Sequence, residues 1–302
     1  MRVVGDMRTA FGDAAVELLE EDPLTAIVLA DISADMFAKA MARHPARVLN
    51  VGIREQLMVS VGGGLALAGM RPIVHTYAPF LVGRAFEQVK LDLGHQGAPA
   101  VLVSVGASYD AARAGRTHQA PEDVTLIGAL PGFSVHVPGH PDEVRSLLRG
   151  AVRALGSGRS AYIRLTTEAN RSVLGSGSGG LALLREGRLG VVVAVGPMLD
   201  SVLEAVGDLD VSVAYATTVR PFDADGLRAA AGDSGVVVLV EPYLAGTSAG
   251  VVSEALAGRP HRLLSLGVRE LELRRYGTPG DHARMQGLGA AGIRRSVLKF
   301  LG

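Results

Sequence analysis

Short apolar runs alternate along the chain with segments of helical periodicity. "TAIVLAD" (25–31), "RVLNV" (47–51), "RPIVHTYA" (71–78), "PAVLVSVG" (99–106) and "FSVHVPG" (133–139) are rich in β-branched residues and apolar on both faces, the mark of doubly buried strands. Between them, "MRTAFGDAAVELLEE", "IREQLMVSVGGGLALAG", "FEQVKLDLGHQ" and "DEVRSLLRGAVRAL" carry apolar stripes spaced for helices. Asp142 serves the last of these as a cap or first-turn acid. Such alternation predicts a mostly parallel sheet sandwiched by helices. A second series follows, from "LGVVVAVG" through "VSVAYATTVRPFD" and "GVVVLVEPY" to "HRLLSLGV", again with helical segments between the strands. The glycine/serine-rich stretch "SVLGSGSGGLALLREG" separates the two. The expectation is two α/β domains, 1–171 and 188–302, joined by a linker over 172–187.

Composition narrows the function classes. Of the 302 residues 48% are hydrophobic and 20% charged, which suits compact domains with sizeable cores. Thirty basic and thirty acidic residues cancel, so no net field recruits nucleic acid or an anionic membrane. The absence of cysteine excludes disulfides, thiolate catalysis and zinc–thiolate sites, and suits a reducing compartment. No apolar stretch approaches the ~20 residues that span a bilayer, and the first residues lack a secretory apolar region. A cytoplasmic protein without nucleic-acid or membrane partners is expected.

Within "NVGIREQLMVSVGGGLALAG" (50–69), Glu55 opens a helix directly after a strand. Ligands of open parallel sheets bind at the carboxyl ends of strands, so this turn is well placed for chemistry. The plainer alternative is a first-turn acid favoured by the helix dipole. The glycines that follow form no G-x-G-x-x-G and lie inside the helix, where close packing, not phosphate binding, is their role. None of the eight histidines shows metal-ligand spacing, and no metal site is expected from this chain's own residues.

Taken together, collinear motifs resemble the transketolase family of thiamine-diphosphate enzymes. "GIREQ", "GLALAGMRP", the aromatics Tyr77 and Phe80, and "RAFEQ" match the pyrimidine-binding domain; "RTHQAPED" and "LPGFSVHVPGHP" continue it. "TTVRPFD" and "VEPYLAGTSAGVV" are similar to the family's C-terminal domain, and "RYGTPGDHARMQGLGAAGI" is closest to deoxyxylulose-phosphate synthase. The resemblance implies that Glu55 activates the thiamine pyrimidine, with Tyr77, Phe80, Ile53 and Asp31 beside the cofactor. His118 is implied as a second catalytic residue that contacts substrate oxygens and relays protons. Arg84 follows the aromatics one residue later than the family spacing, so a cofactor-side role and a surface or subunit-contact role both stay open. Asp31 equally suits a cap. No G-D-G is present. The resemblance therefore implies a C-terminal subunit of a split enzyme, with an N-terminal transketolase-like partner holding the diphosphate and Mg2+ in an α2β2 assembly.

Departures from the family concern the substrate. Ala114 stands where an aspartate bonds a substrate hydroxyl; Gly106, Thr167 and Asp35 stand near positions of phosphate-binding histidine, arginine and serine. Arg8 matches the remaining phosphate arginine, with Arg113 and Arg116 as nearby substitutes. An aspartate repels a dianion, and neither glycine nor threonine supplies a charge-assisted donor. The expected activity is transfer of a two-carbon ketol or acyl unit between keto and aldehyde substrates that are not standard sugar phosphates. The β subunit of a 2-oxoacid dehydrogenase, a deoxyxylulose-phosphate-synthase-like carboligase and a non-catalytic structural subunit are the alternatives.

Overall fold

The computed structural model describes residues 6–173, 180–272 and 274–302. Its strands are β1 (Thr25–Leu29), β2 (Val48–Asn50), β3 (Arg71–Tyr77), β4 (Val101–Val105), β5 (Phe133–His136), β6 (Ser160–Arg164), β7 (Ala182–Arg185), β8 (Val191–Val195), β9 (Ser212–Ala216), β10 (Thr218–Arg220), β11 (Val236–Leu244) and β12 (Arg262–Val268). They form a seven-stranded sheet ordered β10-β5-β6-β4-β3-β1-β2 and a five-stranded sheet ordered β12-β11-β8-β9-β7. All pairings are parallel except those of β10 with β5 and of β7 with β9. The expected class holds: two mostly parallel sheets flanked by helices.

Alternation along β1 shows why its run is apolar throughout. Ile27 and Leu29 face the core under the helices Met7–Glu21 and Pro141–Leu155, while Val28 and Ala30 face the helix Glu55–Leu67 on the other side. Successive side chains of a strand point to opposite faces, and both faces here are covered. The long helix Pro141–Leu155 is capped by His140, whose Nδ1 accepts from the Asp142 N–H at 3.2 Å, with Asp142 left as a first-turn acid.

The chain crosses from β1 outward to β2, then returns to place β3 on β1's other side. That reversal opens a crevice beyond the carboxyl ends of β1, β3 and β4, the usual ligand position of such sheets.

Two expectations are corrected. Part of the segment assigned to a linker is a strand: β7 pairs Leu183 with Ala214 at the edge of the second sheet. Its alternation in "LALLR", with Ala182 and Leu184 packed inward and Leu183 exposed, was masked by the glycines before it. Residues 174–179 of the segment lie outside the described residues. Secondly, "VSVAYATTVRPFD" is not one strand. It breaks at Thr217, and β10 leaves the second sheet to close the edge of the first, pairing Thr218 with His136. The first sheet thus draws on residues well beyond 171.

Candidate active site

Glu55 is the first residue of its helix, and only 1% of its surface is exposed. The helix lies close on the sheet and on the helical turn Val89–His95 because it carries small residues. A Cβ at Gly62 would stand 2.7 Å from Val74 Cγ2, and one at Gly63 would stand 3.0 Å from the Asp92 carbonyl oxygen. The Glu55 Oε2 accepts a 2.6 Å bond from Arg84 Nη1. Arg84 comes from the turn Pro79–Arg84 that follows β3, and its guanidinium lies 4.3 Å over the Phe80 ring. That turn is wide: the Ala85 N–H donates to the Phe80 carbonyl, five residues back. Such turns take up one residue more than an α-turn and recur at functional sites. Arg84 stays 40% exposed, and its contact with Glu55 is a pairing that neither sequence reading of this residue named.

His118 ends a tight turn, Arg116–His118, entered through Gly115 at φ +74°. Its ring stands edge-on to Phe80 at 5.1 Å and to Tyr77 at 5.8 Å, and Tyr77 meets Phe80 at 6.1 Å. Thr117 Oγ1 lies 2.9 Å from His118 Nδ1. Glu55, Arg84, Phe80, Tyr77 and His118 therefore form a continuous chain of contacts. The neighbouring Gln119 is fully buried, and neither polar atom of its side chain has a hydrogen-bond partner among the described residues.

Asp31 caps no helix. Its N–H donates to Asn50 Oδ1 and its carboxylate accepts from Asn50 Nδ2, both at 3.0 Å, tying the ends of β1 and β2 together. Asp31 and Ser33 both adopt positive φ, 63° and 62°. Non-glycine residues rarely do so, and strain of this kind gathers at functional loops. Ile53, in the turn before Glu55, is 69% exposed.

Arg8 is held by a relay that the sequence did not announce. The His75 Nδ1–H donates to the Val103 carbonyl at 2.9 Å, which leaves Nε2 as an acceptor; Ser33 Oγ–H donates to it at 2.8 Å, and Ser33 Oγ accepts from Arg8 Nε at 2.8 Å. Burial pushes the His75 pKa down to about 4, which keeps the ring neutral and suited to this role. Arg8 lines a cavity of about 290 Å³ with Asp6, Tyr77, Gly106, Asp110 and Thr167 among its walls. Gly106 and Thr167 thus do meet at one site with Arg8. Asp35 is not in that wall, and the serine that contacts Arg8 is Ser33. Gly106 admits no side chain: at φ +71°, its Cβ would fall 2.2 Å from Tyr77 Cδ1. Asp110 accepts a 2.9 Å bond from the Thr167 N–H, and desolvation raises its pKa to about 7.

The two other arginines lie outside this wall. Arg116 is committed to Glu122 at 2.9 Å, Glu272 at 3.1 Å and the Gln119 carbonyl at 2.6 Å, and Arg113 is exposed. Among the described residues, no group of three or more His, Asp or Glu is placed to hold a metal, and no helix is long and apolar enough to cross a membrane.

Residues 5–172 match the transketolase pyrimidine-binding domain. The chain belongs to the transketolase family. A 33.6 kDa protein of the fasciation locus of Rhodococcoides fascians is 52% identical over 300 residues, 98% of this chain and 95% of that protein. The 1-deoxy-D-xylulose-5-phosphate synthase of Polaromonas sp. is 31% identical over 301 residues, 97% of this chain. The chain spans 47% of that synthase's length. Among solved structures, a split-gene transketolase described as an inactive β4 tetramer superposes with a TM-score of 0.84 at 28% identity, covering 98% of this chain and 99% of the other.

Proposed function

We propose that this chain is the pyrimidine-binding subunit of a two-component, thiamine-diphosphate-dependent transferase that moves a two-carbon ketol or acyl unit between keto and aldehyde substrates. The observation that carries the reading is the buried Glu55 carboxylate, held by Arg84 and continuous with Phe80, Tyr77 and His118. A nearly dry carboxylate beside aromatic faces suits a pyrimidine ring: one group shares a proton with a ring nitrogen, the others pack the ring. Bound thiamine diphosphate supplies a carbon nucleophile. The Glu55 carboxyl would share its proton with the pyrimidine ring nitrogen, favouring the imino form of the exocyclic amine, and Arg84 orients that carboxyl. Tyr77 and Phe80 exclude water from the ring, with Asp31 and Ile53 at the crevice mouth. His118 moves a proton at the substrate oxygen.

The diphosphate and Mg2+ are held by a partner, an N-terminal transketolase-like subunit, in an α2β2 assembly. The likeness to a split-gene transketolase over nearly the whole of both chains supports this division. With that partner present, Glu55→Gln abolishes turnover while the assembly persists. Full activity of the variant would overturn the reading.

The substrate is not a standard sugar phosphate. Among the described residues, the cavity presents Arg8 as its one cation against the carboxyls of Asp6 and Asp110, with Gly106 and Thr167 at its sides. Efficient turnover of xylulose phosphate by the reconstituted enzyme would refute this. The identity to a deoxyxylulose-phosphate synthase favours a second reading, decarboxylation of a 2-oxo acid followed by carboligation. Carbon dioxide release from pyruvate with an aldehyde acceptor separates the two.

A further inference from the structure

A second cavity, of about 180 Å³, lies between the two sheets and no step proposed above uses it. Its apolar wall includes Met198, Pro242, Ala283 and Leu288. Its polar wall includes Arg164, which is fully buried. Arg164 Nε donates to Asp123 Oδ2 at 2.8 Å and Nη2 donates to Ser108 Oγ at 2.5 Å, but Nη1 has no hydrogen-bond partner among the described residues. An unpaired donor on a buried guanidinium is costly, and an acceptor supplied from outside would relieve it.

Two helix starts converge on the same space. Pro279 and Gly280 begin the helix Pro279–Gln286, whose start is already capped by Thr278 and carries Asp281 in its first turn, and Gly289 precedes the helix Ala290–Leu301. The latter has neither a side-chain cap nor an acid in its first turn. Helix N-termini favour negative charge. Two acidic groups also belong to the wall. Glu168 is exposed at the rim, where solvent screens it. Asp110 has its pKa raised to about 7 by desolvation, so near neutrality it retains a proton much of the time and can donate a bond. The phenol of Tyr109 stays neutral, its pKa raised by burial.

We propose that this cavity binds a small monocarboxylate with an apolar body, its carboxylate at Arg164 and the uncapped start of the helix Ala290–Leu301, its carbons against Met198, Ala283 and Leu288. The volume is of the right order, since a cavity of about 150 Å³ accepts benzene. The occupant would sit one side chain from the Arg8 cavity, because Asp110 and Thr166 line both. The inference is independent of the transferase reading, and its test is binding, not turnover.

The full chain is titrated with 3-methylbutanoate, 3-methylbutanamide and 3-methylbutylamine by ligand-observed NMR. The carboxylate is expected to bind saturably and at least tenfold more tightly than the amide or the amine. Ser201, on the helix Leu199–Ala205, also lines the cavity, and Ala283→Leu and Ser201→Leu, which fill it from different helices, are each expected to weaken binding at least tenfold while melting as the parent does. Two variants guard against one failing to fold. Absence of saturable carboxylate binding, equal binding of amide or amine, or binding that survives in a folded cavity-filling variant would overturn the proposal.

Discussion

The Glu55 carboxylate is sealed from solvent, yet the arginine that holds it, Arg84, is 40% exposed and rests on Phe80. The pair therefore has a dry end and a wet end. Removing the wet partner leaves a buried charge without its donor, which costs 3–5 kcal/mol in fully buried pairs. Solvent reaching Arg84 reduces this, and Arg84→Ala is expected to cost about 1–2 kcal/mol of stability. The measurement is urea unfolding of both proteins. Equal midpoints would show that the bond contributes nothing to the fold.

Gly106 sits where any Cβ would enter the Tyr77 ring, in backbone that favours glycine. Gly106→Ala should force Tyr77 out of its contacts with Phe80 and His118 and destabilise by about 1–3 kcal/mol. Tyrosine fluorescence and thermal melting would register the displacement. An unchanged melting temperature would mean that the ring yields freely.

Ser33 links Arg8 to His75 while strained at φ 62°. Both Ser33→Ala and Ser33→Gly break the link and leave His75 Nε2 without its donor, at a cost of about 1–3 kcal/mol. Glycine relieves the backbone strain that alanine keeps, so Ser33→Gly should be the more stable of the two by about 1 kcal/mol. A reversed order in denaturant unfolding would show that the loop carries no such strain.

Asp110 gives a signed pH dependence. Its ordinary value is 3.8 and its folded value about 7, so between these the folded chain holds a proton that the unfolded chain has released. Its contribution to stability therefore falls as pH rises from about 4 to 7 and stays low above that. Glu241, pushed from 4.5 to about 7 by burial, acts in the same sense. His75, lowered from 6.5 to about 4, acts oppositely and loses stability as pH falls through that window. Asp110→Asn removes one term and keeps an acceptor for the Thr167 N–H. It should raise the melting temperature at pH 8 and flatten the decline between about pH 4 and 7. A profile parallel to the parent's would refute the assignment.

What the sequence discloses is what local patterning can encode. Strand and helix segments follow from periodicity, and Glu55, Tyr77, Phe80 and His118 follow from collinear motifs; the structure joins these four side chains through Arg84, which bridges Glu55 to Phe80. The ion pair of Glu55 with Arg84 spans 29 residues and depends on a wide turn that no local pattern signals. The His75–Ser33–Arg8 relay likewise joins three elements, and His75 reads in sequence only as an ordinary strand residue in "RPIVHTY". Its place on the same face as the core-facing Ile73 was the available clue to its burial. Arg116 was legible as a cation near the site but not as one already spent on Glu122 and Glu272, since Glu272 lies far along the chain.

The course of β10 bears on how the chain can be divided. Thr218–Arg220 supplies the outer partner of β5, and the Val137 N–H donates to the Thr217 carbonyl at 2.7 Å just beyond it. A fragment cut within the glycine/serine stretch would leave Phe133–His136 as a bare strand edge, a template for pairing with its own copies. The two halves are therefore not interchangeable modules. Swapping either for a relative's half would transplant this seam along with the module.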